Sequence, residues 1–466
     1  MKRILSLSIA IILIVLGYAC SNASEANAEN YLLNNKLLKA VKEKNLQSLQ
    51  GILTEGADVN SRDNDDWTAL MIASQYGYTE IVKLLLDKGA DVNAKGKYSW
   101  TALMIASQNG HTEVVKLLLD KGADIKIMRC DGFTALLYAS QNGHVEIVKL
   151  LLDKGADVNV RDNIDSVTPL IKASENGRTE VVKLLLNNGA DINAKDKYGT
   201  TALMFAVDFS VFSIDVAKLL LERGADLNAK NANGETALIL ATQRCYSLMH
   251  IDVVKLLLER GADVNVKSAS GETALVNAVK NEGFYGNMGL VKLLLDKGAD
   301  VNIRNKNQET PLHTNIEINV AKLLIEKGAD VNARDNSQRT PLHSALFENN
   351  TELAKLLIEK GADVNARDEH LETPLHFVTI SGHPEMAKLL IEKGADVNAR
   401  DEHLETPLYR AAEFNKIEMA KLLVGKGADL TLRGGVGEQL TPLMVAEKNK
   451  HSELADILRK AGSSTR

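Results

Sequence analysis

Twelve copies of Gly-Ala-Asp, twelve matching copies of Thr-x-Leu and a near absence of aromatic side chains together predict an all-α solenoid of about 13 helix-turn-helix units. The Gly-Ala-Asp copies begin at Gly56, Gly89, Gly122, Gly155, Gly189, Gly224, Gly261, Gly298, Gly328, Gly361, Gly394 and Gly427, with a spacing of 33 and excursions from 30 to 37. The Thr-x-Leu copies run from Thr68-Ala69-Leu70 through Thr168-Pro169-Leu170 to Thr441-Pro442-Leu443. The chain is 45% hydrophobic but only 4% aromatic, so its core has to be Leu, Ile, Val and Ala packed at short range. An ordinary globular chain of 466 residues would divide into about three domains, because single cores stop growing near ~250 to 300 residues. A repeating chain escapes that limit.

Residues 1–20 read as a targeting leader. Lys2 and Arg3 supply its positive start, and Ile4 to Leu16 an apolar stretch too short for a membrane span. The stretch ends in Leu16-Gly17-Tyr18-Ala19-Cys20, which resembles the lipobox of bacterial lipoproteins and implies lipidation at Cys20. It departs from that pattern at Gly17, where a branched apolar residue is usual, and at Tyr18, where a small one is. Cleavage after Ala26-Asn27-Ala28 and an uncleaved anchor are the alternatives, and all three predict export. Residues 21–30 carry no periodic signal and form a tether of at most about 33 Å.

Residues 31–466 form the array. Its N-terminal cap, 31–60, lacks Thr-x-Leu but keeps Leu46, Leu49, Ile52 and Leu53, while Lys36, Lys39, Lys42 and Lys44 solvate the outer side. One unit, residues 61–93, shows how the motif works. Thr68 can accept from the free N–H groups of a starting helix, and the next position is Ala69 here or Pro169 and Pro341 elsewhere, residues suited to a first turn. Leu70, Ala73 and Ser74 give this inner helix a narrow face, and Ile81, Val82, Leu84, Leu85 and Leu86 crowd an outer helix with aliphatics. Gly77 makes the turn between them and Gly89 ends the second helix in a left-handed conformation. Neither helix buries itself alone, so each unit needs its neighbours.

A period of 33 with Thr-Pro-Leu-His, as at Thr340-Pro341-Leu342-His343, resembles the ankyrin repeat, and the resemblance covers about residues 31 to 466. It implies that the turn-rich Asp-Val-Asn-Ala-Lys segment is a protruding β-hairpin finger, and that fingers and inner helices form a concave face for protein partners. It also implies that His313, His343 and His376 serve as structural hydrogen-bond groups across fingers.

Irregularities interrupt the period. The units starting at Thr236 and Thr273 each carry four extra residues between their helices, around Cys245 to Met249 and Gly283 to Gly286. The unit starting at Thr310 lacks three, which predicts a truncated helix pair and the weakest stacking joint over Thr310 to Glu326. Beyond it the wording changes from Ala-Leu-Met to Pro-Leu-His, and residues 354–375 recur unchanged at 387–408. The C-terminal cap, 437–466, replaces apolar positions with Lys448, Asn449, Lys450 and His451.

The position just before each Thr, a common partner contact in ankyrin-like arrays, holds Trp67, Trp100, Phe133, Val167, Thr200, Glu235, Glu272, Glu309, Arg339, Glu372, Glu405 and Leu440. Three aromatics open this series. Tyr98 and Tyr198 on fingers and Tyr76 at the end of an inner helix join them, making Trp67, Tyr76, Tyr98, Trp100, Phe133 and Tyr198 the candidate partner-binding residues. Two readings stand side by side: anchors for a partner, or aromatics that stack on one another to shield the fingers. The acidic stretch that follows reads as surface solvation, with a basic partner as the alternative.

The formal net charge is −6, and loss of Lys2 and Arg3 leaves 53 basic against 61 acidic residues, which argues against a nucleic-acid partner. Cys130 and Cys245 lie several repeats apart and are expected not to meet. His370 and His403, each in Asp-Glu-His, form a repeated pair too sparse for zinc or calcium, so no metal and no cofactor are expected. There is no glycine-rich phosphate loop, no His-Glu-x-x-His and no Gly-x-Ser-x-Gly. The function expected is a non-catalytic scaffold or adaptor, monomeric, held in a bacterial envelope by lipid at Cys20 and binding a protein. A secreted factor that engages a foreign or host protein is the alternative of the same fold, and a hydrolase or metal-dependent enzyme the alternative of another class.

Overall fold

A computed structural model describes residues 29–208, 213–243, 248–280 and 287–464. Cys20, the leader, most of the tether, Cys245 and the Gly283 to Gly286 insertion lie outside the described residues. The chain divides into two compact units, Met1–Ala232 and Asn233–Arg466, each treated by itself below.

In the first unit the period is realised as pairs of short antiparallel helices. The inner helices are Ala69–Gln75, Ala102–Asn109, Ala135–Asn142, Pro169–Glu175 and Ala202–Asp208. Their outer partners include Thr79–Asp87, Thr112–Asp120, Val145–Asp153, Thr179–Asn187 and Ile214–Glu222. Thr68 is extended (φ −82°, ψ 161°), and its hydroxyl accepts from the Met71 N–H at 3.3 Å, so each inner helix starts where its Thr satisfies an orphan donor. Such a cap is worth about 1 kcal/mol. In Ala69–Gln75 every residue from Ala69 to Ser74 is buried, because the short helix is packed between two neighbouring repeats. The outer helix is one-sided instead, with Ile81, Val82, Leu85 and Leu86 buried and Lys83 exposed. Truncating one such leucine to alanine is expected to cost about 2 to 5 kcal/mol.

Gly77 lies at φ 70°, and a Cβ there would meet the His111 ring of the next repeat at 2.5 Å. His111 closes on it because its Nε2 bonds the Gln75 carbonyl at 2.9 Å. The turn between helices is therefore also an inter-repeat contact. The first cap comes as expected: residues 29–42 are helical, Leu46–Thr54 follows, and Leu37, Val41 and Leu49 are fully buried.

The fingers differ from the hairpins expected. Among the described residues the only bridges are the isolated pairs Arg62 with Thr68, Lys195 with Thr201 and Gly434 with Leu440. Most fingers close on one main-chain bond, such as Asp63 N–H to the Trp67 carbonyl at 2.9 Å, and the last closes on a reciprocal pair between Gly434 and Leu440 at 3.0 and 2.9 Å. Neighbouring fingers are joined by side chains. The Asp91 carboxylate accepts from the Asn93 N–H at 2.9 Å, and Asn93 Oδ1 accepts from the Asp124 N–H of the next finger at 2.7 Å. That rung explains why Gly-Ala-Asp is followed so often by x-Asn.

In the second unit the inner helices include Pro341–Phe347, Pro374–Ser381 and Pro407–Glu413, and the array ends in Pro442–Lys448 and Ser452–Ser464. In the shortened repeat the inner helix is reduced to the single 3-10 turn Pro311–His313, ahead of Ile318–Glu326. His313, His343 and His376 each present Nδ1 to the N–H and hydroxyl of their own Thr at 2.9–3.1 Å. His313 and His376 also reach the next finger, at the Arg339 and Glu405 carbonyls, both at 3.1 Å. Burial lowers His343 and His376 to a pKa of about 4, so both are neutral near pH 7.

Candidate functional site

The first two fingers enclose a cleft of about 440 Å³. Trp67 and Trp100, from the positions before Thr68 and Thr101, are half-buried in its wall; Tyr76, at the end of the inner helix, and Tyr98, at a finger tip, are 52% and 61% exposed. Ile72, Gln75, Asp63, Asp65, Lys42 and Lys97 complete the lining. Four of the six predicted residues thus meet at one place.

The backbone around the cleft is unusual. In the second finger Tyr98 (φ 58°) and Ser99 (φ 65°) are consecutive non-glycine residues in the left-handed region. Most fingers place a single residue there, often a glycine such as Gly132 or Gly199. Each non-glycine residue held in this region costs on the order of 1 kcal/mol, which marks the tip as constrained.

Phe133 belongs to the next repeat and joins through a residue the sequence reading missed. Tyr138 is 6% exposed, and its ring stacks on Trp100 (centroids 4.9 Å apart, 23° between planes) and packs on Phe133 (5.1 Å, 49°). Its burial pushes its hydroxyl up to a pKa of about 12. The Arg129 guanidinium lies 4.9 Å from the Trp100 ring centre and bonds Asp131, and the Lys172 ammonium lies 5.9 Å from Phe133. Trp100 and Phe133 are therefore partly structural, stacked through Tyr138 rather than directly on one another. Trp67 has no ring or cation partner among the described residues. Tyr198 sits farther along the fingers, 55% exposed with the Lys197 ammonium 4.9 Å from its ring, and is not brought to the cleft. Cys130 is a free, exposed thiol.

A register rule emerges. The residue before one Thr meets the residue four places after the next Thr: Trp100 meets Tyr138, Phe133 meets Lys172, and in the second unit Arg339 meets Phe377 and Glu372 meets Arg410. Reading those two positions as a pair would have found Tyr138 from the sequence.

The same rule corrects the reading of Glu372 as a solvating residue, and the arginine it identifies corrects that of Glu405. Glu405 is 6% exposed, and Arg410 reaches Glu372 at 3.2 Å, Asp401 at 3.0 Å, Glu405 at 2.9 Å and Glu413 at 3.4 Å. Burial raises Glu405 to a pKa of about 7, against the pull of the guanidinium. These carboxylates are turned inward onto one arginine. Nearby, Arg339 lies against Phe347 and Phe377, at 5.9 and 5.5 Å, and Phe347 is 66% exposed.

His370 Nδ1 bonds Glu402 at 2.8 Å and His403 lies 3.8 Å from the same carboxylate, an exposed pairing between finger tips. Among the described residues no group of three or more His, Cys, Asp or Glu side chains is arranged to hold a metal ion, and no helix is long and apolar enough to cross a membrane.

A family model described as ankyrin repeats in three copies matches residues 37–129, 100–162, 162–231, 214–305, 283–368 and 369–434. No curated protein matches the chain. Repeats of this family generally mediate protein–protein interaction and are typically non-catalytic. With its repeat matched along most of its length and its fold an all-α repeat solenoid, the chain belongs to the ankyrin-repeat family.

Proposed function

We propose that this protein is a non-catalytic interaction scaffold that holds one partner protein at its N-terminal fingers while tethered in a bacterial cell envelope through lipid at Cys20. The cleft of the first two fingers carries the reading. Two tryptophans and two tyrosines, both of the latter more than half exposed, converge there, in a chain whose core is mostly aliphatic. Such side chains are the usual anchors of protein interfaces, and keeping them at the surface without a partner is unfavourable. Export and lipidation rest on the leader Lys2 to Cys20 alone.

Cross-linking of the native protein in its own cells, followed by identification of what is captured, tests the reading. Wild type should capture a defined protein. A Trp67→Ala, Tyr98→Asn double variant should lose it while keeping its helix content, since asparagine tolerates the left-handed backbone at position 98. Equal capture by both would move the site elsewhere. In the same cells the wild-type protein should enter a detergent phase and a Cys20→Ser variant should not; recovery of wild type in the medium would favour a secreted factor instead.

A further inference from the structure

Every aromatic of the N-terminal row except Trp67 carries a cation from the protein itself or stacks on a ring that does. Arg129 lies against Trp100, Lys172 against Phe133, Lys97 against Tyr98 and Lys197 against Tyr198. Tyr76 stacks on Tyr78 at 5.4 Å, which in turn carries Lys44 at 5.2 Å. Trp67 has none of these. The reason lies in the register. Arg129 stands five residues before Thr134, and the same place before Thr101 holds Gly96, which has no side chain to send back over Trp67. Tyr138 stands four residues after Thr134, and the same place after Thr101 holds Ile105, an aliphatic that is 2% exposed. Where the next repeat covers its aromatic with a guanidinium and a ring, this one brings neither to Trp67, which lines the cleft.

The charges point the same way. Of the two lysines in the lining, Lys42 is bound to Asp63 at 3.3 Å and Lys97 lies over Tyr98 at 5.4 Å. The Asp63 carboxylate is further occupied by the N–H groups of Asp65 and Trp67, at 3.1 and 3.0 Å. The exposed Asp65 carboxylate has no partner among the described residues. What the protein itself leaves without a partner is the Trp67 indole and the Asp65 carboxylate, the complement of a cation.

The geometry points to a cation-binding subsite between the first two fingers, which takes a lysine or arginine side chain of the partner polypeptide on Trp67, with Asp65 as its counter-ion. It rests on the reading of this cleft as a protein-binding site and adds the chemistry of what enters it. A partner lacking a basic side chain at its contact segment would find an open indole and an unpaired carboxylate that nothing in it completes.

The two tryptophans of the chain both line this cleft, so indole emission reports on it directly. The full-length protein is titrated with N-acetyl-Gly-Arg-Gly-amide, with the lysine peptide, and with the citrulline peptide, which keeps the planar shape of arginine without its charge. The arginine and lysine peptides should give saturable changes, weaker at high salt, and the citrulline peptide none over the same range. Tighter binding of arginine assigns the subsite to a stacked guanidinium, and tighter binding of lysine to a compact ammonium. Asp65→Asn, a change on an exposed side chain that should leave the fold intact, should weaken both by about fivefold. Citrulline binding as tight as arginine, an unchanged affinity in Asp65→Asn, or no saturable response up to about 50 mM peptide would each overturn the subsite. The outcomes remain separable from those of the scaffold reading. Loss of partner capture in the double variant with no response to basic peptides sinks the subsite alone, whereas a peptide response without any captured protein sinks the scaffold and leaves the subsite.

Discussion

The first and second units share one backbone plan and differ in what they place at the same positions. In the first, the residue before Thr is aromatic in three of five repeats, and what comes to meet it from the next repeat is a ring or a cation for two of them, Trp100 with Tyr138 and Phe133 with Lys172. In the second, it is charged in six of seven, Leu440 being the exception, and the answer is Arg410 for Glu372 and Phe377 for Arg339. Three residues after Thr, the first unit holds Met71, Met104 and Leu137, and the second holds His313, His343 and His376. The difference teaches that the repeat fixes which positions meet but not the chemistry of the meeting. One unit leaves a contact open at Trp67. The other folds its charges onto each other.

The largest effect that would break this contrast is expected at Arg410. Its guanidinium is the cation within 3.4 Å of Glu372, Asp401, Glu405 and Glu413, and Asp401 is 2% exposed. Removing one partner of a buried pair leaves an uncompensated charge, at a cost of about 3 to 5 kcal/mol. Arg410→Ala should lower the urea midpoint of helix loss accordingly, with Glu405→Gln restoring part of it. An Arg410→Ala protein as stable as wild type would return these carboxylates to the surface role read from the sequence.

A smaller effect, with a sign that separates the two units, comes from the histidines. Burial holds His343 and His376 near a pKa of about 4, below their ordinary value of 6.5. Above pH 6.5 both folded and unfolded forms are neutral there and nothing is lost. As pH falls from 6.5 toward 4 the unfolded chain takes up protons that the folded chain refuses, and stability drops by on the order of 2 to 3 kcal/mol per histidine. Glu405 acts in the opposite sense, since its raised pKa of about 7 relieves a buried charge as pH falls from 7 toward 4.5. Burial also lowers His313 and raises Asp368 and Glu372, by smaller shifts of opposing sense, so the two large histidine shifts outweigh the one large glutamate shift and the second unit should soften on mild acidification. Because both tryptophans lie in the first unit, circular dichroism should register that softening before indole emission does. A His343→Gln, His376→Gln variant should flatten the pH dependence, and coincident transitions in wild type would show that the units do not differ in this way.

The fold was legible because each of its signals acts within a few residues. Thr68 caps the helix it precedes, Gly77 turns the chain at a positive φ, and Asp91 braces Asn93 two residues on. The shortened inner segment at Thr310 likewise foretold the 3-10 turn Pro311–His313. The members of the cleft were legible for the same reason: Trp67 and Trp100 occupy one register position in adjacent repeats. What escaped were contacts between one repeat and a different position in the next. Tyr138 and Gly96 carry no mark of their role in the sequence, and Glu405 reads there as surface solvation. Their meaning depends on Trp100, Arg410 and Trp67, and no local propensity encodes those pairings. Composition does not separate a turn closed by one main-chain bond from a short hairpin, and of the hairpin fingers expected only isolated antiparallel bridges are seen among the described residues.

The smallest predicted effect bears most directly on the open contact. Trp100 and Trp67 occupy equivalent positions in adjacent repeats, so truncating each to alanine compares a satisfied indole with an unsatisfied one. Both truncations lose the apolar burial of a mostly covered indole, about 2 to 3 kcal/mol. Trp100→Ala also removes a stacked pair with Tyr138 and the contact of Arg129, worth about 0.5 to 1.5 and about 0.5 to 1 kcal/mol, so its unfolding free energy should fall by about 1 to 2.5 kcal/mol more than that of Trp67→Ala, which removes neither kind of contact. Chemical denaturation of the two variants side by side resolves a gap of that size if both retain the wild-type slope. Equal losses would mean that Trp67 is held by packing as Trp100 is, and the asymmetry between adjacent fingers, on which the cation subsite depends, would be gone. A gap in the expected direction leaves Trp67 as an indole whose stabilising contacts the folded chain does not itself supply.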